Sequence, residues 1–473
     1  MKKLSDWYVK TINHAVNNPT FTVLIITIAS FILCLLRIQE GHNWGGDFAL
    51  YIHQAKSLVE GNLQLLFDQN KYSMDQSMVG PYFYPFGFPL IISPFYYLFG
   101  INLQLMKIVC AFFFVLAIPF VYFLSKRINS NENGILITIH IAFNWLFINY
   151  SDNVISDLPY FFFSTLSVYL ITKSNNLRNS FLLGFSMFYA YFIRDIGITL
   201  IPTLFVYQYF DQKSKLFRAS QLLPYITFFL LLFISKILLP FNGGANHFEF
   251  FYNFSILNSF ENFLDYLSKI ILLMVGTKGY WGLIFAPIII AGLYFGIRKN
   301  YKSNLFILAY LAMNIGIITI WPSNQGWRFI FPLIPFVAYF LFSGLGEFPK
   351  KINWRMSERM LPITITTLVV LLSLIQIIKY STKDSNEAYT EEMRNIYSYI
   401  EKEIPKDEVI GFHKPRVLRL FSDHNAIFID NSNVESSSID FILINNSSMT
   451  LSDSSDFDVF KKFDNYTLFK KLE

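Results

Sequence analysis

Four ionisable residues of the 473-residue chain stand at the edges of apolar runs, where each could act on a substrate at a membrane surface: Asp47, Asp157, Arg194 and Arg328. Asp47 opens "DFALYIHQAKSLVE". After it, Phe48, Tyr51, Ile52, Ala55, Leu58 and Val59 follow the spacing of an amphipathic helix. His53, Lys56, Ser57 and Glu60 fall on the opposite, polar face. A carboxylate at a helix N-terminus is held ionised by the dipole, and an ionised carboxylate can take the proton of an acceptor hydroxyl. Asp is also a favoured N-cap, so capping and base chemistry both stand for Asp47.

"YSDNVISDLPYFFF" carries Asp152 and Asp157 with no Lys or Arg beside them. Asp157 reads either as the cap of an apolar helix or as a second acid that orients an acceptor or binds a metal. "FIRDIGITLIP" puts Arg194 next to Asp195 between two apolar runs. That pair is either a local surface pair or a functional charge, since ionisable groups this close to membrane helices are expensive. "IWPSNQGWRFIFPLIPF" places Arg328 among Trp321, Trp327, Phe329 and Phe331. A guanidinium suits bidentate phosphate binding and the aromatics suit an isoprenoid, although Trp and Arg also anchor helices at the interface. Lys278 and Lys107 are weaker phosphate candidates, which can equally snorkel. Tyr51 and Tyr84 complete the candidate substrate-binding set. His247, with Glu249, is a candidate metal ligand beside Asp157. No phosphate-cradling loop, dinucleotide fingerprint or zincin helix is present, so no nucleotide is expected and an activated lipid would supply the energy.

The elements that must position these residues are membrane helices. The chain is 53% hydrophobic, 19% aromatic and only 15% charged, against about 25% charged in soluble domains. Mean hydropathy is +0.39. Net charge is +5 with the basic residues in short loops, which gives no nucleic-acid signal. Cys34 and Cys110 both lie in apolar runs, which argues against a disulfide framework or a cysteine metal site. The first apolar run, 21–36, lacks a cleavage site and reads as an anchor, not a cleavable signal.

About eleven runs have the length and composition of membrane spans: near 20–38, 102–125, 134–150, 158–173, 180–194, 196–210, 220–240, 280–297, 304–321, 328–346 and 360–379. The fifth and sixth, parted only by "RDIG", could be one broken helix. Basic residues concentrate in alternate loops, such as Lys126, Arg127, Arg298 and Lys299, on the side of Lys2, Lys3 and Lys10. This puts the N-terminus in the cytoplasm of a multi-pass plasma (inner) membrane protein. Residues 1–380 then form the membrane domain, with 39–101 as a first outer loop carrying interfacial helices and 241–279 as a second outer segment. Residues 381–473 change composition. Met393, Ile396, Tyr397 and Ile400 are spaced as one helix face, and "DEVIGFH", "NAIFID", "DFILIN" and "YTLFKK" read as strands. A small C-terminal α/β domain on the outer face is expected.

In that order, these pieces resemble the motifs of GT-C membrane glycosyltransferases of the branch containing protein O-mannosyltransferases and lipid A aminoarabinose transferases, the family 39 type. "GGDFALYIHQAKSLVEGN" is similar to the first-loop Asp motif and "YFYPFGFPLIISPFYYLFG" to the aromatic-proline segment after it. "SDNVISDLPYFFF" resembles the second acidic motif, "FIRDIGITLIP" the Arg-x-x-Gly motif and "GWRFIFPLIPF" the late Arg motif. "FHKPRVLRLFSDHNAIF" is similar to a tail-domain signature of bacterial members. The resemblance implies a mainly α, polytopic GT-C bundle that moves a sugar from a polyprenyl phosphate to a protein, lipid or glycan hydroxyl with inversion. It implies Asp47 as base, Asp157 as acceptor orienter or metal ligand, and Arg194 and Arg328 on the departing phosphate, with a divalent metal as candidate cofactor. A transporter or flippase, or a polysaccharide polymerase, is the alternative. Charges gathered at helix ends instead of mid-membrane favour the enzyme.

Overall fold

The computed structural model describes residues 17–42, 44–77, 80–128, 130–174, 176–211, 218–239, 255–322, 324–351, 359–379, 387–430, 438–447 and 456–472. His247, Glu249 and the N-terminal lysines lie outside these residues. Six helices among the described residues are long and apolar enough to cross a membrane: Pro19–Arg37, Leu103–Arg127, Ala219–Leu238, Tyr280–Ser303, Gly326–Phe348 and Met360–Lys379. Gly87–Phe99, Asp157–Ile171 and Leu305–Ile320 are apolar but shorter.

Some of the expected spans are interrupted, and side chains account for the breaks. The 134–150 run divides into Asn131–Ala142 and Trp145–Tyr150. Asn144 caps the second piece by accepting from the Leu146 N–H at 3.1 Å while its amide donates to the Leu273 carbonyl. The two runs flanking "RDIG" are also separate. Helix Leu177–Ile193 stops at Arg194, whose backbone is extended, and a 3-10 turn over Asp195–Thr199 leads into Leu200–Val206. Within the segment read as the second outer one, Ile256–Val275 is a helix of 20 residues. Ser255 caps its start and Gly276, at φ 84°, closes its end in the left-handed conformation. Asn262, Asp265 and Lys269 interrupt its hydrophobic run, which hides it from a search for apolar spans.

Three glycines fix the helix that follows Arg328. Gly344 of Ile334–Lys351 packs directly on the backbone of Gly292 and Gly296 in Ala286–Asn300, and a Cβ at Gly296 or Gly344 would collide with main chain. Small residues at such a crossing let helices approach within backbone contact.

After the first long helix come Gly46–Glu60, Leu63–Ser77 and Gly87–Phe99. On the polar face of Gly46–Glu60 His53 and Ser57 are buried, as is Gln54 beside them. The C-terminal region covers it. Lys56 donates to both Asp423 carboxylate oxygens at 2.8 and 2.9 Å, and Trp44 packs on Tyr389 and Phe421. That region has one five-stranded sheet in the order β2-β1-β3-β5-β4. The strands are β1 Val409–Phe412, β2 Asn425–Phe428, β3 Phe441–Asn445, β4 Phe457–Lys462 and β5 Tyr466–Lys471. β1 pairs in parallel with β2 and β3, while β5 runs antiparallel to β3 and β4. Helix Glu391–Glu403 buries Met393, Ile396, Tyr397 and Ile400.

Candidate active site

Asp47, Asp157, Arg194 and Arg328 come together in one ion network, each delivered by a different element. Asp47 is the second residue of its helix. Gly45 holds the cap position without a side-chain bond, so Asp47 does not cap. Its Oδ2 accepts from Arg328 Nη1 at 2.7 Å and its Oδ1 from the Tyr84 hydroxyl at 2.8 Å. Asp157 does not cap either. Its Oδ2 accepts from Arg328 Nε and Nη2 at 3.1 and 3.0 Å, and its Oδ1 from Arg194 Nη1. The order of contact is therefore Tyr84, Asp47, Arg328, Asp157, Arg194. Arg194 pairs with Asp157 across the fold.

Local sequence explains each placement. The Tyr84 backbone is clamped by the Gln54 amide, which donates to its carbonyl at 2.8 Å and accepts from its N–H at 3.0 Å. The Tyr51 ring lies 4.9 Å from the Tyr84 ring, and the Tyr51 hydroxyl bonds Ser156 Oγ at 2.9 Å, next to Asp157. Arg194 leaves its helix because Gly197 folds back against the backbone of Ala190 and Tyr191, where any Cβ would clash. The Arg-x-x-Gly spacing thus builds the turn that frees the guanidinium. Arg328 sits in the 3-10 segment Gly326–Leu333, anchored by buried Ile330, Phe331, Pro332 and Leu333. The two guanidiniums lie over aromatic faces, Arg328 5.4 Å from the Phe48 ring centre and Arg194 5.0 Å from that of Phe329.

Asp157 is almost fully buried, with 2% of its side chain exposed, whereas Asp47 retains 30%. The more accessible carboxylate is thus the one free to meet a substrate. Burial alone would raise the Asp47 pKa, but the Arg328 charge and the hydrogen bonds from Tyr84 and Arg328 hold it below its ordinary value. Burial and the Asp47 charge push Tyr84 up to about 12, so it stays a phenol donor. At neutral pH Asp47 is a carboxylate with one oxygen on a neutral donor and one on a cation.

The remaining candidates divide. Lys278 Nζ lies 4.5 Å over the Trp145 ring, and Trp145 meets Trp327, the neighbour of Arg328, edge to face at 5.3 Å. Burial lowers the Lys278 pKa. Lys107 is not available to a phosphate. Fully buried, it donates to Asp152 Oδ1 at 2.8 Å and to the Gln39 and Gly41 carbonyls at 2.9 and 2.6 Å. Sequence reading missed Lys107 as the partner of Asp152, and it missed the Gln54 clamp. Among the described residues no group of three or more His, Cys, Asp or Glu could hold a metal. Both site carboxylates are engaged by guanidiniums, and the candidate ligand His247, with Glu249, lies outside the described residues.

No protein-family model matches the sequence, and no curated protein does. Solved structures do. ArnT from Cupriavidus metallidurans in the apo state superposes with a TM-score of 0.61 at 10% identity, covering 96% of this chain and 98% of that one. The same protein bound to undecaprenyl phosphate gives 0.61 at 10% identity over 95% and 98%. The apo Archaeoglobus fulgidus oligosaccharyltransferase gives 0.58 at 10% identity, covering 90% of this chain and 70% of that one. At these identities the likeness concerns architecture, and over nearly its whole length this chain has the GT-C fold.

Proposed function

We propose that this chain is a membrane glycosyltransferase that moves a sugar from a polyprenyl-phosphate donor to an acceptor hydroxyl with inversion. The observation that carries this reading is the chain of contacts Asp47–Arg328–Asp157–Arg194. It sets a partly exposed, ionised carboxylate beside two guanidiniums. Asp47 takes the proton of the acceptor hydroxyl as that oxygen bonds the anomeric carbon. The anomeric carbon–phosphate oxygen bond breaks, and its electron pair leaves with the lipid phosphate. Arg328 and Arg194 stabilise that negative charge, which is the dominant need of a leaving group already as good as a phosphate. Asp157 keeps both guanidiniums in place. In this reading the site faces the outer side of the plasma membrane, and the acceptor is a protein, lipid or glycan.

Two further features support a lipid carrier. An apolar groove of about 430 Å³ is lined by Ile198, Thr199, Pro202, Met313, Gly316, Ile317 and Ile320, and it begins within the turn that follows Arg194. In this reading the groove takes part of a prenyl chain whose phosphate is held by the arginines. ArnT has been solved with undecaprenyl phosphate, and the archaeal AglB oligosaccharyltransferase with dolichol-phosphate.

The test is to compare wild-type and Asp47→Asn proteins in membrane vesicles loaded with polyprenyl-phosphate sugars, following new glycosidic bonds by mass spectrometry. Transfer should disappear while insertion and folding persist. Normal transfer by the variant would sink the reading. Flux of the sugar lipid across sealed vesicles without a new bond would favour a transporter.

A further inference from the structure

The C-terminal region also reaches this pocket. Helix Pro415–Ser422 packs on helix Gly46–Glu60, and Arg416 runs from it toward the start of that helix. Arg416 is 5% exposed. Its Nη2 donates to the Pro81 carbonyl at 3.1 Å, and its guanidinium carbon lies 5.8 Å from the centre of the Tyr84 ring. A Cβ at Gly46, the residue before Asp47, would sit 3.0 Å from Arg416 Nη1. The guanidinium thus occupies the space that a side chain at position 46 would take. Among the described residues no carboxylate forms an ion pair with Arg416, and its Nε is buried without a hydrogen-bond partner. A buried guanidinium with so little local compensation is a poor stabilising device. Its position against Gly46 and Tyr84 calls for another explanation.

We propose that Arg416 is a positioning residue of the active site, supplied by the C-terminal region, that fixes the Tyr84 hydroxyl on Asp47 and adds a second positive charge beside that carboxylate. This inference rests on the reading of Asp47 as the base. The groups facing Asp47 are Arg328 from the 3-10 segment, Tyr84 from the loop before Gly87–Phe99, Arg416 from Pro415–Ser422 and Tyr51 from its own helix. Asp157 and Arg194 lie beyond Arg328. After Arg328 and Tyr84, Arg416 is a further contributor that lowers the Asp47 pKa. The C-terminal region is then part of the site, and its seating on the first loop governs how readily Asp47 accepts a proton.

The test reads the ionisation of Asp47 directly in the full-length protein. Dicyclohexylcarbodiimide couples to protonated carboxyl groups, and its pH-dependent attachment to the Asp47 peptide is followed by mass spectrometry. In Arg416→Ala the labelling midpoint should rise by about one pH unit, the low end of the effect of a neighbouring guanidinium on an Asp. Arg416→Lys should shift it less, and Gly46→Ala, which displaces Nη1, should shift it in the same direction. In transfer assays Arg416→Ala should lower kcat and leave the donor KM unchanged. An unmoved midpoint in folded Arg416→Ala overturns the proposal. If that variant does not fold, unmoved midpoints in both Arg416→Lys and Gly46→Ala overturn it. Weakened binding of undecaprenyl phosphate with an unmoved midpoint also overturns it, by making Arg416 a ligand residue. Labelling needs neither donor nor acceptor, so its outcome is separate from whether the chain transfers a sugar.

Discussion

Arg328 grips Asp157 through both Nε and Nη2, at 3.1 and 3.0 Å, across 171 positions of sequence. The same guanidinium has its remaining arm on Asp47. One side chain therefore sets the spacing of the two carboxylates.

Breaking that grip should be costly to the fold. Arg328→Ala leaves Asp157, with 2% of its side chain exposed, short of one of its two cations. Removing one partner of a buried pair typically costs about 3–5 kcal/mol. A much lower melting temperature in detergent is expected. The double variant Arg328→Met with Asp157→Leu, which also strips Arg194 of its carboxylate, should stay well below wild type in stability and show no transfer. Recovery of transfer by the double variant would remove both residues from the chemistry.

Loss of the Tyr84 hydroxyl should move the acid limb of the activity profile. Asp47 has its folded pKa depressed, so its base form persists until the pH falls through that lowered value. Tyr84→Phe deletes a donor to the charged form. Hydrogen bonds to charged groups contribute about 1.5–3 kcal/mol, so the limb should rise by roughly one pH unit. The same linkage predicts that Asp47 stabilises the fold above its unfolded pKa and ceases to as pH falls through the folded one. A pH series of melting temperatures for wild type and Tyr84→Phe checks both signs.

Gly197→Ala should act on Arg194 without touching it. The new methyl meets the backbone of Ala190 and Tyr191, so the turn must open and carry the guanidinium off Asp157. Transfer should drop at least tenfold, as expected when a charged group is misplaced by about 1 Å, and affinity for undecaprenyl phosphate should weaken. Full activity would show that the turn tolerates a side chain.

Lys107→Met separates framework from site. The change leaves Asp152 buried and without its cation, and stability should fall by several kcal/mol. In protein that remains folded, the donor KM should stay at the wild-type value. A raised KM would return Lys107 to the set of phosphate ligands.

Much of the site could be read from the sequence because charges at the ends of apolar runs are rare enough to stand out. Asp47, Asp157, Arg194 and Arg328 were singled out this way, and the fold brings them together. Local rules failed at the carboxylates themselves. Asp47 and Asp157 fall just inside their helices, after the cap positions of Gly45 and Ser156, and guanidiniums from remote segments take their oxygens. Arg416 lies in the tail stretch "FHKPRVLRLFSDHNAIF", but nothing local ties it to the site, since its partners Pro81 and Tyr84 lie more than 300 positions away. The helix Ile256–Val275 was hidden by its polar stripe. Strand β4 was hidden for the opposite reason. It is a mostly exposed edge strand, without the continuous buried run that marks β3 and the start of β5.

The glycine crossing between Ala286–Asn300 and Ile334–Lys351 has a consequence for genetics. With no side chain between the two backbones, that pair of helices behaves as a strut, and Arg328 is mounted at its end. A single added methyl at Gly344, buried where the two helices cross, would be transmitted along the strut to a guanidinium. Such a variant would score in a screen as an enzymatic defect although nothing chemical had been altered.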